Sequence, residues 1–277
     1  MTAVTIDELQ PSRMARVIGD SITIAKRNII KIRRVPDVLI FSTLSPIMFV
    51  LLFAYIFGSA ISVQGSSYRE FLIAGIFAQT SVFGATFTGT SLAEDMQRGI
   101  IDRFRSLPMA PSAVLIGRTV ADVVINVVSL VVMSVTGLII GWRVHGSALD
   151  TVQAYVLLLL FAYAISWIMA TVGLLVRTPE VFNNASFMVI FPLTFIANTF
   201  VPSEVLPTPL RVVAQWNPVS AVTQATRELF GNTGTTNPLP DAWPLRHSVA
   251  TTLIWVVAIM VIFVPLALRQ FRRAVSR

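Results

Sequence analysis

There is no cysteine in the 277 residues, so disulfides, thiolate nucleophiles and zinc–thiolate sites are excluded. Lysine is nearly absent: Lys26 and Lys31 are the only two among 21 basic residues. They follow Ala25 and Ile30, so no Gly-Lys pair exists to end a phosphate-cradling loop and no ATP site of that kind is present. The two histidines, His145 and His247, precede Gly146 and Ser248, which rules out an HExxH zinc helix. No serine sits in a GxSxG elbow, and no nucleophile and base stand together at membrane depth. Intrinsic catalysis is not expected. Charge is scarce as well: 13% of the residues are charged, about half of what a soluble domain carries.

What fills the chain instead is apolar. Hydrophobic residues make up 55% of it, and the mean hydropathy is +0.74. They fall in six blocks: Val38 to Phe57, Phe71 to Leu92, Thr119 to Ile140, Tyr155 to Val176, Val181 to Val201 and Val249 to Leu268. Each is about 20 residues long, enough as a helix to cross ~30 Å of hydrocarbon. The expected fold is all-α, a polytopic membrane protein with six transmembrane helices in a single domain over 1–277. The first block begins too late and runs too long for a cleavable leader, so it reads as a permanent span.

Cytoplasmic loops retain Lys and Arg. With the N-terminus inside, the inner side holds Arg13, Arg16, Lys26, Arg27, Lys31, Arg33, Arg34, Arg98, Arg103, Arg105, Arg118, Arg177, Arg269, Arg272, Arg273 and Arg277. The outer side holds Arg69, Arg143, Arg211, Arg227 and Arg246. Both termini are therefore expected in the cytoplasm. The net charge of +7 lines the inner face rather than one soluble patch, which points to membrane lipids and not to nucleic acid. The preference for arginine over lysine fits a GC-rich, bacterial genome.

Before the first span, residues 14–34 place Ile18, Ile22, Ala25, Ile29 and Ile32 on one helical stripe, with Arg16, Asp20, Arg27, Lys31 and Arg34 opposite. Such a helix lies in the headgroup plane. Its basic residues, Arg27, Lys31, Arg33 and Arg34, serve either as an anchor or as part of a docking surface.

Between the second and third blocks stands "AEDMQRGIIDRFRSLPMAP". The spacing of Met96, Ile100, Phe104 and Leu107 predicts an apolar face over 94–107. Asp95, Arg98, Asp102 and Arg105 make an opposite face of alternating sign, and Pro108 ends the helix. A loop that only reversed direction could be shorter, and the positive-inside rule does not call for Glu94 and Asp95. The outer segment 202–247 differs in kind, holding seven of the 15 prolines. Its "PLRVVAQW" and "PVSAVTQATRELF" read as short amphipathic helices broken at Asn217-Pro218, too polar to span and suited to a re-entrant pair. Within the spans, Asp122 is a candidate proton carrier. Arg118, four residues earlier, offers it a structural partner that can snorkel to the interface. Gly137 and Gly141 form a GxxxG pair, a weak sign of helix packing.

The stretch "EDMQRGIIDRFRSLPMAP" resembles the cytoplasmic loop of type-2 ABC exporter permeases, with Gly99 at its centre and Leu107-Pro108 at its end. "FVPSEVLPTPLRVVAQWNPVSAVTQATRELF" resembles the same family's region before the last span, with Pro202, Leu206-Pro207, Asn217-Pro218 and Arg227 in matching places. The similarity covers essentially the whole chain and is nearest to the daunorubicin-resistance group of drug and lipid efflux permeases. The loop departs from the family pattern at Gln97 and Ile100.

The resemblance implies a permease subunit that pairs with a second copy or a paralogue and is driven by a separate ABC ATPase. ATP and Mg would sit on that subunit, and this chain would bind no cofactor. Glu94, Asp95, Arg98, Gly99, Asp102, Arg103, Phe104 and Arg105 would form the ATPase-docking coupling helix. Pro202, Glu204, Pro207, Asn217, Pro218 and Arg227 would form an outer gate or a structural cap. The implied cargo is an amphipathic drug-like molecule or a lipid, moved outward across the cytoplasmic membrane.

Overall fold

Helix starts in this chain are written with Ser, Thr and Asn caps followed by proline or an acid. Ser147 and Asp150 form a capping box, each side chain satisfying the other's backbone N–H. Thr178 and Asn217 cap helices whose first residues are Pro179 and Pro218, where a missing N–H costs nothing. The computed structural model describes residues 13–34, 36–57, 67–100, 111–233 and 241–275. Their elements are α1 (Arg13–Arg34), α2 (Pro36–Leu52, continued by a π-turn Phe53–Phe57), α3 (Tyr68–Gly84), α4 (Thr86–Gln97), α5 (Pro111–Ile139), α6 (Ala148–Leu175) and α7 (Pro179–Ile196). A short 3₁₀ turn (Ser203–Val205) then leads to α8 (Thr208–Trp216), α9 (Pro218–Leu229), α10 (Trp243–Arg246) and α11 (Ser248–Val275). No strand occurs among the described residues.

Among the described residues, four helical stretches are long and apolar enough to cross a bilayer: Tyr68–Gln97, Ser112–Ile139, Ala148–Leu175 and Ser248–Ala274. The first joins α3 and α4 through Ala85, which keeps helical dihedrals. The other two expected spans are weaker. Leu44–Ile56 is a shorter apolar stretch, and α7 carries Glu180, Asn183 and Asn184 in its first turns. The expected span 181–201 also stops early, because helix gives way to a turn at Ala197.

The α3–α4 pair is the most enclosed of the long helices and α11 the least. Around α3–α4 pack α5, α6, α7 and α9, while α11 leans on α6 and α9. The crossing of α4 with α6 is made backbone to backbone: a Cβ on Gly173 would lie 2.5 Å from the Gly89 carbonyl oxygen. A Cβ on Gly89 would in turn lie 2.1 Å from the Phe182 ring. Only glycine permits this approach, the device by which membrane helices pack without a hydrophobic drive between them. The GxxxG pair of α5 does something else. Gly141 has φ +100°, and Trp142 N–H donates to the Gly137 carbonyl (2.9 Å), which is a helix stop and not a packing seam.

Helix α1 lies along α5. Ser21, Ile24 and Ala25 are buried against it, and Ile18 and Ile22 are left exposed. The stripe expected to act as one face is thus divided, because Gly117 draws Ser21 and Ile24 to within backbone contact.

Candidate functional site

Where α4 ends and α5 begins, a small apolar cluster fastens four helices together: Leu92 of α4, Val114 and Leu115 of α5, Trp167, Ala170 and Leu174 of α6, and Ala267 and Phe271 of α11. Polar side chains beside this cluster form a ladder between α4 and α5. The Arg118 guanidinium donates to the Asp95 carboxylate in a buried ion pair, the residues being 4% and 7% exposed. Further along, the Thr88 hydroxyl donates to the Asp122 carboxylate. Beyond that, Asn126 sits against Gly84, where a Cβ would lie 2.6 Å from its side-chain oxygen, and its amide donates to the Asp122 carbonyl (3.0 Å). As numbering falls along the α3–α4 pair it rises along α5, so these are the rungs of an antiparallel helix pair.

The ladder corrects two expectations. Arg118 does not pair with Asp122 and does not snorkel; it reaches across to Asp95, near the end of α4, while the Asp122 carboxylate takes the Thr88 hydroxyl. Asp95 correspondingly faces inward and is not part of an open ionic face. The helix expected over 94–107 is interrupted near its start, because α4 stops at Gln97 and Gly99 turns the chain with φ +63°. That left-handed conformation is cheap for glycine and costly for other residues. Glu94 is half-buried in the last turn of α4 and Arg98 is exposed at its cap. Asp102, Arg103, Phe104, Arg105 and Leu107 lie outside the described residues. Of the α1 basic set, Arg27 is exposed, and Lys31, Arg33 and Arg34 continue the helix.

The residues expected to form an outer gate or cap divide. Arg227 of α9 is buried, and its partners among the described residues are uncharged oxygens: the Phe71 carbonyl from Nη2 (3.1 Å), the Asn198 carbonyl (3.1 Å) and the Gln224 side chain (3.1 Å). Its guanidinium also lies 3.7 Å from the centre of the Phe71 ring. It ties α9 to α3 and to the turn that ends α7. Asn217 links α7 and α9, its amide donating to the Leu193 carbonyl (2.7 Å) while its oxygen caps Val219 N–H (2.8 Å). That accounts for the Asn-Pro break: Asn217 satisfies one orphan carbonyl and one orphan amide, and Pro218 begins the next helix. Glu204 stands apart, exposed and accepting from Ser203 (3.0 Å). Pro202 and Pro207 occupy the positions before the 3₁₀ turn and before α8.

Rings form a third feature. Phe187, Phe191 and Phe195 stand one turn apart on α7, with centroids 5.1 and 4.1 Å apart. The run continues to Phe200 at 4.8 Å and to Phe53 of the π-turn at 4.5 Å. Phe187 and Phe191 are 56% and 38% exposed, so one side of the column is open. Among the described residues no group of three His, Cys, Asp or Glu could hold a metal ion.

Comparison with known proteins places this geometry. Residues 21–230 match the family described as ABC-2 type transporter. The chain belongs to that family. It is 33% identical over 263 residues to the daunorubicin resistance ABC transporter permease protein DrrB1 of Streptomyces coeruleorubidus, covering 95% of this chain and 89% of that protein. It is 28% identical over 205 residues to the doxorubicin resistance ABC transporter permease protein DrrB of Mycobacterium tuberculosis, covering 74% of this chain and 70% of that one. This ABC-2 chain is accordingly a transmembrane subunit of an ABC transporter and a transport component. Its ladder, its ring column and the α8–α9 pair all fall inside the matched range, while α10 and α11 lie beyond it.

Proposed function

We propose that the chain is the membrane half of an exporter that moves an amphipathic drug-like molecule or a lipid outward across the cytoplasmic membrane, powered by a separate ATPase. Both termini lie on the ATPase side, ATP and Mg are held by that partner, and a second copy or paralogue completes the channel. The segment 94–107 is the docking site, now assigned to Glu94, Arg98, Gly99, Asp102, Arg103, Phe104 and Arg105, with Asp95 serving as the joint behind it. The observation that carries this reading is the Asp95–Arg118 ion pair. It clamps the end of α4 to the start of α5, so a partner pushing on the segment between them moves two helices as one body.

The ring column supports the cargo class. A run of phenylalanine rings in contact suits a molecule with flat apolar surface, and the names of the two relatives refer to daunorubicin and doxorubicin resistance. Pull-down of the full chain from native membrane, with mass spectrometry and an ATPase assay on the eluate, tests the proposal. A co-purifying nucleotide-binding subunit with vanadate-sensitive activity is expected. Recovery of the chain alone, inactive towards ATP, would sink it.

One observation favours a proton-driven alternative. With Arg118 committed to Asp95, the buried Asp122 carboxylate has a neutral hydroxyl, that of Thr88, as its hydrogen-bond donor. Transport in ATP-depleted vesicles under an imposed pH gradient, lost in Asp122→Asn, would establish that alternative.

A further inference from the structure

The last helix carries a feature that neither the ladder nor the ring column uses. A cavity of about 800 Å³ opens along the end of α11, lined by Ile262, Pro265, Leu266, Leu268, Arg269, Arg272 and Arg273. At about 100° per residue, Ile262, Pro265, Leu266, Arg269 and Arg273 fall within about 100° of the helix surface, with Arg272 about 20° beyond it. The polarity along that strip is graded. Exposed apolar side chains come first, Ile262 and Leu266, and guanidiniums follow about 10 Å further along the axis, at 1.5 Å per residue. Pro265 sits within the apolar part, inside the helix, where its ring crowds the preceding turn. Among the described residues, no acid occurs in α11 or in the cavity wall. Arg269 and Arg272 are exposed.

The geometry points to a binding site for one anionic phospholipid, its phosphate between Arg269 and Arg272 and an acyl chain against Ile262 and Leu266. Charge complementarity selects the occupant. The exposed guanidiniums of Arg269 and Arg272, on a helix that carries no acid, are neutralised by a phosphate, and the apolar strip continues in the direction a lipid tail takes from its headgroup. A zwitterionic lipid brings its own ammonium into the same wall and is disfavoured. The site does not depend on the ATPase reading, since it lies on a different helix from the docking segment.

The test is native mass spectrometry of the full chain in detergent, titrated with dioleoyl phosphatidylglycerol or dioleoyl phosphatidylcholine. Each basic residue near the lipid surface contributes about fivefold to affinity, so Arg269→Gln with Arg272→Gln should weaken phosphatidylglycerol retention by about 25-fold. Phosphatidylcholine retention should not move. The charge-matched control, Arg177→Gln with Arg246→Gln, should weaken phosphatidylglycerol by less than about threefold if the effect is local. Equal weakening in both pairs would show diffuse charge attraction and overturn the site. Unchanged lipid retention with loss of a co-purifying ATPase would also overturn it, and would reassign the arginines to a protein surface. A photoactivatable phosphatidylglycerol on the unmodified chain gives a readout independent of any variant: labelling of the 262–273 peptide is expected, and labelling confined to other helices refutes the proposal.

Discussion

Replacing Asp95 by Ala leaves the Arg118 guanidinium buried without its carboxylate. Its position is already demanding, because Nε and Nη1 have no hydrogen-bond partner among the described residues and the residue is only 4% exposed. Removing one member of a buried ion pair costs about 3–5 kcal/mol, mostly the penalty of the stranded charge. For a chain of this size that corresponds to roughly 6–20 °C in unfolding temperature. Arg118→Met strands Asp95 in the same way and should cost a similar amount. The double variant removes both charges and fills the space with a flexible apolar side chain, so it should return to within about 1 kcal/mol of the parent. The assay is thermal unfolding in detergent, followed by loss of the monodisperse peak in size-exclusion chromatography. Additive losses in the double variant, or single variants within about 3 °C of the parent, would refute the claim that this pair holds α4 to α5. Stability and coupling also separate here: the double variant should fold yet show reduced substrate-stimulated ATPase activity in the assembled transporter, because a sliding apolar contact replaces a directional one.

Gly173→Ala should lower stability by about 1–3 kcal/mol through forced separation of α4 and α6, read as a drop in unfolding temperature in the same assay, and an unchanged temperature would refute the crossing. Arg227→Lys keeps the charge but loses the fork that reaches three oxygens at once, so a loss of about 2 kcal/mol is expected. Equal stability of the lysine variant would show that charge alone matters there. Phe191→Ala sits on the open side of the ring column and should leave unfolding temperature within a few degrees while reducing efflux of a planar fluorescent drug from whole cells several-fold. Unaltered efflux would remove the column from the transport path.

Hydropathy alone made the helical, membrane-embedded class readable, because long apolar runs with little charge have few other folds open to them. Prolines likewise announced the two short helices α8 and α9, down to the break at Asn217-Pro218. Two kinds of information were not legible. The partner of Arg118 was one, since Asp122 four residues away and Asp95 in the preceding helix are equally plausible until the helices are packed. A signal did exist in the two acids, Glu94 and Asp95, at the end of one span opposite an arginine at the start of the next. Helix continuity through Gly99 was the other. A regular spacing of charged residues fits one helix as well as two, and only the backbone conformation of the glycine decides. The roles of Gly89 and Gly173 left no sequence signal, because they lie in different helices and form no motif within either.

The crossing of those two glycines makes α4 a lever. Backbones in direct contact cannot approach further or interlock side chains, so the helix is free to tilt about the crossing while side-chain packing on either side resists sliding. Asp95 lies six residues from Gly89 and the Ala85 junction four residues the other way, arms of about 9 and 6 Å. A displacement applied at the Asp95 end would therefore arrive at Ala85 reversed in direction and reduced by about a third, delivered to the most enclosed helix of the bundle.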